Sequence, residues 1–351
     1  MDAVLTAMVE DKIGPGECSR VLVQTAKEHI GFDFALALRS PATALHLALK
    51  ALGLADGDGV LVSALAPLYY AQVLSDLRLV PLYCDVSSYS FPCTGVENIE
   101  KAISARPEGV QPRCILLHHT LGFTPDTASI AALGIPVVED ISQSYSPPAA
   151  GQGGDGKDTG EEDGEPGDAP PAEKVHGVFT VLGLEQRDML TAGGGALLFA
   201  MGRRDASVLR GYSSLPQEYC LPDINAALAG VQFKETQRNM GRRREIARVY
   251  AQAGLRSRHR RFVPLDGLAY NDYAFPLVLE TSMKDVTAYA RKKEIIVENA
   301  FAASLAGNGI VDSSVCPTAY SLSLRTVMFP LYPRLRSDET ERVSKLIMTL
   351  P

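Results

Sequence analysis

The sequence predicts an α/β protein: a mostly parallel sheet with helices on both faces, followed by a smaller C-terminal α/β domain. Three observations carry this reading. Short runs that are apolar throughout and rich in Val and Leu alternate with amphipathic segments, the pattern of strands buried on both faces by crossover helices. The chain has 351 residues and is 46% hydrophobic, enough for a large core and for two domains. Beyond about residue 256 the elements become fewer and more mixed, which sets expected domains at 1–255 and 256–351.

Taken in order, 34–38 (FALAL) reads as a strand and 42–52 as a helix stopped by Gly53. Residues 60–62 form a strand, 67–77 a helix, 79–84 a strand, 96–105 a helix, and 114–117 and 136–139 two more strands. Residues 148–174 break the pattern. They are rich in Gly, Pro and acid, too poor in apolar groups to offset ordering entropy, and read as a disordered surface insertion. Strands resume at 177–181 and 196–199. A long helix starts at Pro222 and runs to about Gly254, with a break expected near Gly241. Then come a strand at 273–279, whose Pro276 suits a sheet edge, a helix at 283–293 and a strand at 295–297. Ser337 caps a last helix with Asp338 and Glu339 in its first turn.

The net charge of −7 argues against general affinity for nucleic acid or anionic membrane. The start MDAVLTAMVEDK has no basic segment followed by a long apolar run, and no stretch reaches the ~18 apolar residues of a membrane span. The six cysteines are scattered without C-x-x-C, as in a reduced cytosolic protein. His118-His119 are adjacent in a strand and point to opposite faces, so no metal site is expected. The basic runs 242–244 and 256–261 read as solvated surface, and Gly193-Gly194-Gly195 precedes a strand rather than a helix, so it is no dinucleotide fingerprint.

In a parallel sheet the chemistry sits at the carboxyl ends of the strands. There the chain carries Arg39-Ser40, Ser63, Asp85, His118-His119 and Glu139-Asp140. An aspartate at such an end can sit under a ligand, or simply cap the next turn.

Several motifs, in one order, resemble the DegT/DnrJ/StrS family of sugar aminotransferases. Ser40-Pro41-Ala42-Thr43-Ala44-Leu45 resembles its S-G-T-x-A-L phosphate loop, and Gly57-Asp58-Gly59-Val60 its G-D-E-V. His119-Thr120-Leu121-Gly122 resembles its H-x-x-G, Glu139-Asp140 with Gln143 its E-D-x-A-Q, and Gly193-Gly194-Gly195-Ala196 its G-E-G-G-A. Asp223-Ile224-Asn225-Ala226-Ala227, Arg242-Arg243-Arg244 and Phe329-Pro330-Leu331-Tyr332-Pro333 complete the series. The resemblance implies a fold-type I aminotransferase with a seven-stranded sheet, a homodimer with shared sites, and pyridoxal phosphate (PLP) chemistry on nucleotide-linked sugars. It assigns Asp140 and Gln143 to the cofactor ring, Ser40, Ala42 and Thr180 to its phosphate, and His119 to the site.

The chain departs from that family at the chemistry. Counting back from Gly194-Gly195, the aldimine lysine falls at Arg187, and no lysine occurs between Lys174 and Lys234. A guanidinium stays protonated and forms no imine. Pro41 removes a phosphate-binding N–H and Ala42 a hydroxyl. The family's G-x-N-x-R reads Pro216-Gln217-Glu218-Tyr219-Cys220, and the ring-stacking aromatic is replaced near Pro67, with Tyr69 and Tyr70 close by. These departures lead to the expectation of a homologue without transamination that binds at most PLP or its amine form PMP non-covalently, or no cofactor. It would form a homodimer or pair with an active paralogue, and bind a nucleotide-sugar-like ligand. The alternatives are an enzyme using PLP or PMP non-covalently, and a scaffold acting through the acidic insertion. Arg187 is expected to pair with Asp140 in the cofactor's place.

Overall fold

The computed structural model describes residues 2–147 and 176–351, so the expected disorder of 148–174 lies outside the described residues. In chain order the elements are α1 (Asp2–Val9), α2 (Glu17–Ile30), β1 (Phe34–Leu38), α3 (Pro41–Ala51), β2 (Gly59–Ser63) and α4 (Tyr69–Asp76). There follow β3 (Val80–Cys84), α5 (Val96–Ser104), β4 (Pro112–His118), α6 (Thr127–Ala131), β5 (Val137–Asp140), β6 (Phe179–Gly183) and β7 (Ala196–Ala200). The chain continues through α7 (Arg203–Arg210), α8 (Asp223–Gly254), β8 (Arg260–Arg261), β9 (Phe275–Val278) and α9 (Met283–Lys292). It ends with β10 (Glu298–Asn299), α10 (Pro317–Arg325), β11 (Thr326–Phe329) and α11 (Ser337–Met348).

The first seven strands form one sheet in the order β1-β7-β6-β5-β4-β2-β3. Its β3-β2-β4-β5-β6 run is parallel; β7 is antiparallel to both β6 and β1. The period-2 rule sorts the strand residues. Val60, Val62, Cys114, Leu116 and Val138 join α3 and α4 on one face, while Leu61, Leu82, Ile115, Leu117 and Val137 lie on the other with Ile99 of α5 and Ile130 of α6. Toward β1 and β7 that second face is covered by α2 and α8.

The C-terminal sheet has the order β10-β11-β9-β8 and is antiparallel throughout. Three local expectations need correction. Pro276 is in β9, between β11 and β8, not at an edge. The two residues of β8 pair only with Val278 and Leu277, so no ladder bond is asked of the proline on that side. Residues 295–297 are not a strand: Glu294 takes φ 58°, Ile295 turns into the core, and pairing starts at Glu298. Gly241 does not break α8, because hydrogen-bonded turns run on both sides and a lone glycine in a helix costs only ~1 kcal/mol. Residues 301–322 pack into the core of the large sheet through Phe301, Leu305, Val311, Ala319 and Leu322. Asp85, after β3, fastens them there by accepting the Thr318 and Ala319 N–H groups at 3.0 and 2.7 Å, at the start of α10.

Another acid, the buried Asp223, pins the N-terminal segment. Asp223 accepts the N–H groups of Gly16, Ser19 and Cys18 at 2.9–3.0 Å, and the Ser19 hydroxyl at 2.7 Å. Burial would raise its carboxyl, but these donors outweigh burial and hold it below its ordinary value. Asp223→Ala strands four donors and should lower unfolding free energy by about 2–4 kcal/mol in urea denaturation. The deficit should shrink as pH falls through the depressed wild-type carboxyl pKa, because the wild type then loses the same contribution.

Candidate functional site

The parallel register of β4 and β5 places His118 opposite Asp140, so both side chains leave the sheet on one face. Both residues are 3% exposed, and His118 Nδ1 lies 3.6 Å from Asp140 Oδ2. The start of α4 brings Tyr69 and Tyr70 over the same carboxylate. Their hydroxyls donate to Oδ2 at 3.0 and 2.8 Å. Oδ1 accepts the Ser142 N–H at 3.0 Å and the Ser142 hydroxyl in a short contact. A carboxylate has about four lone-pair sites, and protein donors occupy all of them. Burial opposes its charge, yet His118 and the two Ser142 donors win and hold Asp140 far below the carboxylate range. Burial and then Asp140 push both tyrosines well up, which keeps their hydroxyls protonated as donors.

The turn after β6 supplies the opposite wall. Asp188 Oδ2 accepts the Glu185 N–H at 2.7 Å, while the Asp188 N–H donates to the Glu185 carbonyl at 3.0 Å. This closed turn directs the Asp188 carboxyl toward Asp140. Gly183 makes room for it: a Cβ there would lie 2.2 Å from Asp188 Oδ2 and 2.8 Å from Ser142 Oγ. Burial first, and the Asp140 charge second, push the Asp188 carboxyl up to about 8. Arg187 turns the other way. Its side chain is 60% exposed and pairs with Glu298 at 3.0 Å, while its carbonyl accepts the Tyr273 hydroxyl. The expected Arg187–Asp140 pair is therefore absent. Asp140 is already saturated by protein donors, whereas Glu298 meets the guanidinium at the surface, where its charge stays solvated.

Asp140, His118, Gln143, Asp188, Tyr69 and Tyr273 are among the lining of a cavity of about 270 Å³, at the small end of ligand sites. Gln143 Oε1 accepts the Leu121 N–H at 2.7 Å, fixing the turn after β4. Through Arg187, Asp188 and Tyr273 the cavity adjoins an outer cleft of about 570 Å³ that carries Arg243, Arg342, Glu294 and Glu298.

Other residues expected at the site lie elsewhere. His119 is on the opposite face of the sheet, 2.7 Å from Ser144 Oγ through Nδ1 and 3.4 Å from Glu139 Oε2 through Nε2. Thr180 is opposite Glu139 in the register, on that same far face, fully buried and with no hydrogen bond to its hydroxyl. Both follow from strand alternation, which sends neighbours of cavity-facing residues to the other side. Ser40 is spent as the N-cap of α3, accepting the Thr43 N–H at 3.1 Å. Ala42 offers only a methyl group, packed at the core, and it is Pro41 that reaches the cavity wall. The sequence places His118-His119 together at the strand end, the motif favours His119 of the two, and Asp188 is not singled out. Counting alternation from Asp140 back through its neighbouring strand would have found His118. Nothing in the sequence sets the length of the turn that aims Asp188.

These residues do not fit PLP. Among the described residues no lysine lines the cavity, and an acid rather than an amine faces Asp140. The carboxylate that would meet the pyridinium is engaged on every lone pair, and the phosphate loop presents Pro41 and an already occupied Ser40.

The model of the DegT/DnrJ/EryC1/StrS aminotransferase family matches residues 1–163 and 197–348. The stretch between, which includes Arg187 and Asp188, falls outside the match. Similar solved structures include the aminotransferase TlmJ from Streptoalloteichus hindustanus, at 18% identity and TM-score 0.81, covering 99% of this chain and 94% of that one. A DegT DnrJ EryC1 StrS aminotransferase from Brucella abortus is 18% identical with TM-score 0.82, covering 99% and 93%. A putative sugar aminotransferase from Streptococcus pneumoniae in its PMP form is 15% identical with TM-score 0.81, covering 99% and 93%. At these identities the likeness establishes the fold: an α/β structure with a large, mostly parallel seven-stranded sheet. Among the described residues no helix is long and apolar enough to cross a membrane.

Because burial and Asp140 push the folded Asp188 carboxyl up to about 8, its contribution to stability is complete at or below the ordinary 3.8. It is lost progressively as pH rises from there to about 8. Asp188→Asn removes the titration. The variant's melting temperature should gain on the wild type by a few degrees between pH 5 and pH 8.5, read by calorimetry at both values. A difference independent of pH would contradict the raised carboxyl.

Proposed function

The chain belongs to the DegT/DnrJ/EryC1/StrS aminotransferase family, and from that premise we propose that it is a member without transamination, which keeps the fold and a ligand cavity but not Schiff-base chemistry. One observation carries the reading: the Asp140 carboxylate is committed to Tyr69, Tyr70 and Ser142, and Asp188 instead of an amine faces it. In this family's chemistry PLP acts as an electron sink through a protonated ring nitrogen held by such an aspartate. Here two tyrosine hydroxyls would have to leave Asp140 first. Each hydrogen bond to a charged group contributes about 1.5–3 kcal/mol, so a cofactor would have to recover roughly 3–6 kcal/mol before gaining anything. Arg187 supplies no imine-forming nitrogen and is turned toward Glu298.

A second reading rests on Gln143 and Asp140, which still line the cavity: non-covalent use of PLP or PMP. Equilibrium dialysis separates the two, since non-covalent use requires saturable retention of PMP and our reading none at millimolar concentration.

For a larger, nucleotide-sugar-like ligand the outer cleft offers the room, at about 570 Å³; its Arg187 and Arg342 would have to leave Glu298 and Glu294 to meet the ligand's phosphates. Family membership supports a homodimer, or a pairing with an active paralogue. The scattered cysteines, without C-x-x-C, suit a cytoplasmic location. A division at residue 255 follows the end of α8, with residues 301–322 returning to the large sheet.

The decisive experiment incubates the purified chain with PLP, adds borohydride and records the intact mass. No cofactor adduct is expected for the wild type. None is expected for Arg187→Lys either, because that side chain leaves the turn toward Glu298. An adduct on the wild-type protein would sink the reading.

A further inference from the structure

We infer that the outer cleft binds an organic carboxylate, one acid group on an apolar body, with Arg243 as the residue that grips the acid. The inference rests on the reading that this cleft takes a ligand, and it is independent of what enters the inner cavity beside Asp140.

The charged residues lining the cleft are Arg187, Arg243 and Arg342 against Asp188, Glu294, Glu298 and Glu339. All but one are already engaged by protein groups. Arg187 pairs with Glu298 at 3.0 Å and Arg342 with Glu294 at 3.3 Å. Glu339 Oε2 accepts the Arg336 N–H at 2.9 Å, and Asp188 Oδ2 accepts the Glu185 N–H at 2.7 Å. Arg243 is the cation left over. Among the described residues it has no ion pair, although its neighbours in α8 do: Arg242 with Glu245 at 2.8 Å and Arg244 with Asp272 at 4.0 Å. The Asp272 charge reaches Arg243 only from beyond ion-pair distance.

A second observation is one of geometry. Arg243 Nη1 spends both its N–H groups on the Tyr273 and Leu331 carbonyls, at 2.8 Å each. The guanidinium is thereby held in place, while Nε and Nη2 meet no acceptor among the described residues. That edge of the fork offers two parallel N–H groups, the arrangement that receives a carboxylate through both oxygens. A side chain already fixed loses little further freedom when a ligand docks. Burial lowers the Arg243 pKa, yet a guanidinium stays protonated, so the half-buried charge calls for an anion. One free fork answers one acid group. A phosphate monoester would bring a second negative charge beside Glu294 and Glu298. The rest of the wall is largely apolar: Ile296 and Tyr332 are exposed there, and Met328, Phe329 and Leu331 continue the surface. At about 570 Å³ the cleft has room for a fused-ring body.

The test is isothermal titration of the full chain at neutral pH with naphthoate, with its neutral isostere naphthamide and with naphthyl phosphate. Saturable naphthoate binding is expected, roughly tenfold or more tighter than either of the others. Arg243→Gln should bring naphthoate down to the affinity of naphthamide and leave naphthamide itself unchanged, a pattern that a merely structural role for Arg243 would not produce. Arg243→Lys, which keeps the charge but not the fork, should fall between. Equal binding of naphthoate and naphthamide would mean an apolar cleft only and would overturn the proposal, as would no binding of any probe or undiminished naphthoate binding by Arg243→Gln. Tighter binding of naphthyl phosphate would overturn the carboxylate while keeping the cleft as a ligand site. Should neither variant fold, a crystal structure of the wild-type naphthoate complex decides: the carboxylate is expected on Nε and Nη2 of Arg243, and any other position overturns the proposal. None of these outcomes bears on the absence of Schiff-base chemistry, which borohydride trapping with PLP tests separately.

Discussion

The site is organised around one carboxylate that has no lone pair to spare. Asp140 stands at the end of a central strand, and its burial would make the charge costly in isolation. Two tyrosines from α4 and two donors from Ser142 supply the compensation. Those contacts fix the start of α4, the turn after β5 and, through Ser142 Oγ accepting the Gly183 N–H at 2.7 Å, the end of β6. Three elements therefore take their positions from one charge. A saturated anion of this kind serves structure, because any ligand that wants it must first displace protein groups.

The acid opposite follows from the same arrangement. With Asp140 ionised nearby, a second carboxylate at Asp188 is disfavoured, so it holds its proton where an ordinary aspartate would not. The pair splits into one fixed charge and one titratable acid. Arg187 takes no part, having found Glu298 in the outer cleft. On the proposed reading the chemistry here is polar recognition and proton exchange, and among the described lining residues none carries an amine.

Much of the architecture was legible in the sequence because it depends on local pattern. Runs such as 34–38, 60–62 and 196–199 are apolar on both faces, and the helices between them have clear stops, so the strands of the large sheet could be placed within a few residues. The order of motifs around Asp140 and Gly193-Gly194-Gly195 indicated the family. The site was less legible because it depends on direction. His119 was favoured over His118 by motif alone, although one residue along a strand reverses the face. Thr180 failed for the same reason. Asp188 was invisible, since its aim depends on the Glu185 turn and on the space above Gly183, and neither has a sequence period. The C-terminal sheet misled for a different reason: its strands are so short that a proline inside the order meets no ladder partner.

The unbroken α8 bears on motion. Its 32 residues span about 48 Å at 1.5 Å per residue, a single strut under both sheets. One end is moored by Asp223 to the segment before α2, and near its middle Arg243 donates to the Tyr273 and Leu331 carbonyls at 2.8 Å each. A rod tied at both stations offers no flexible joint between the sheets. If the outer cleft widens or narrows around a guest, packed surfaces must slide past one another by small steps, as in shear rather than hinged movement. Such sliding allows only limited travel, so the molecule should admit its guests through a doorway of nearly constant width.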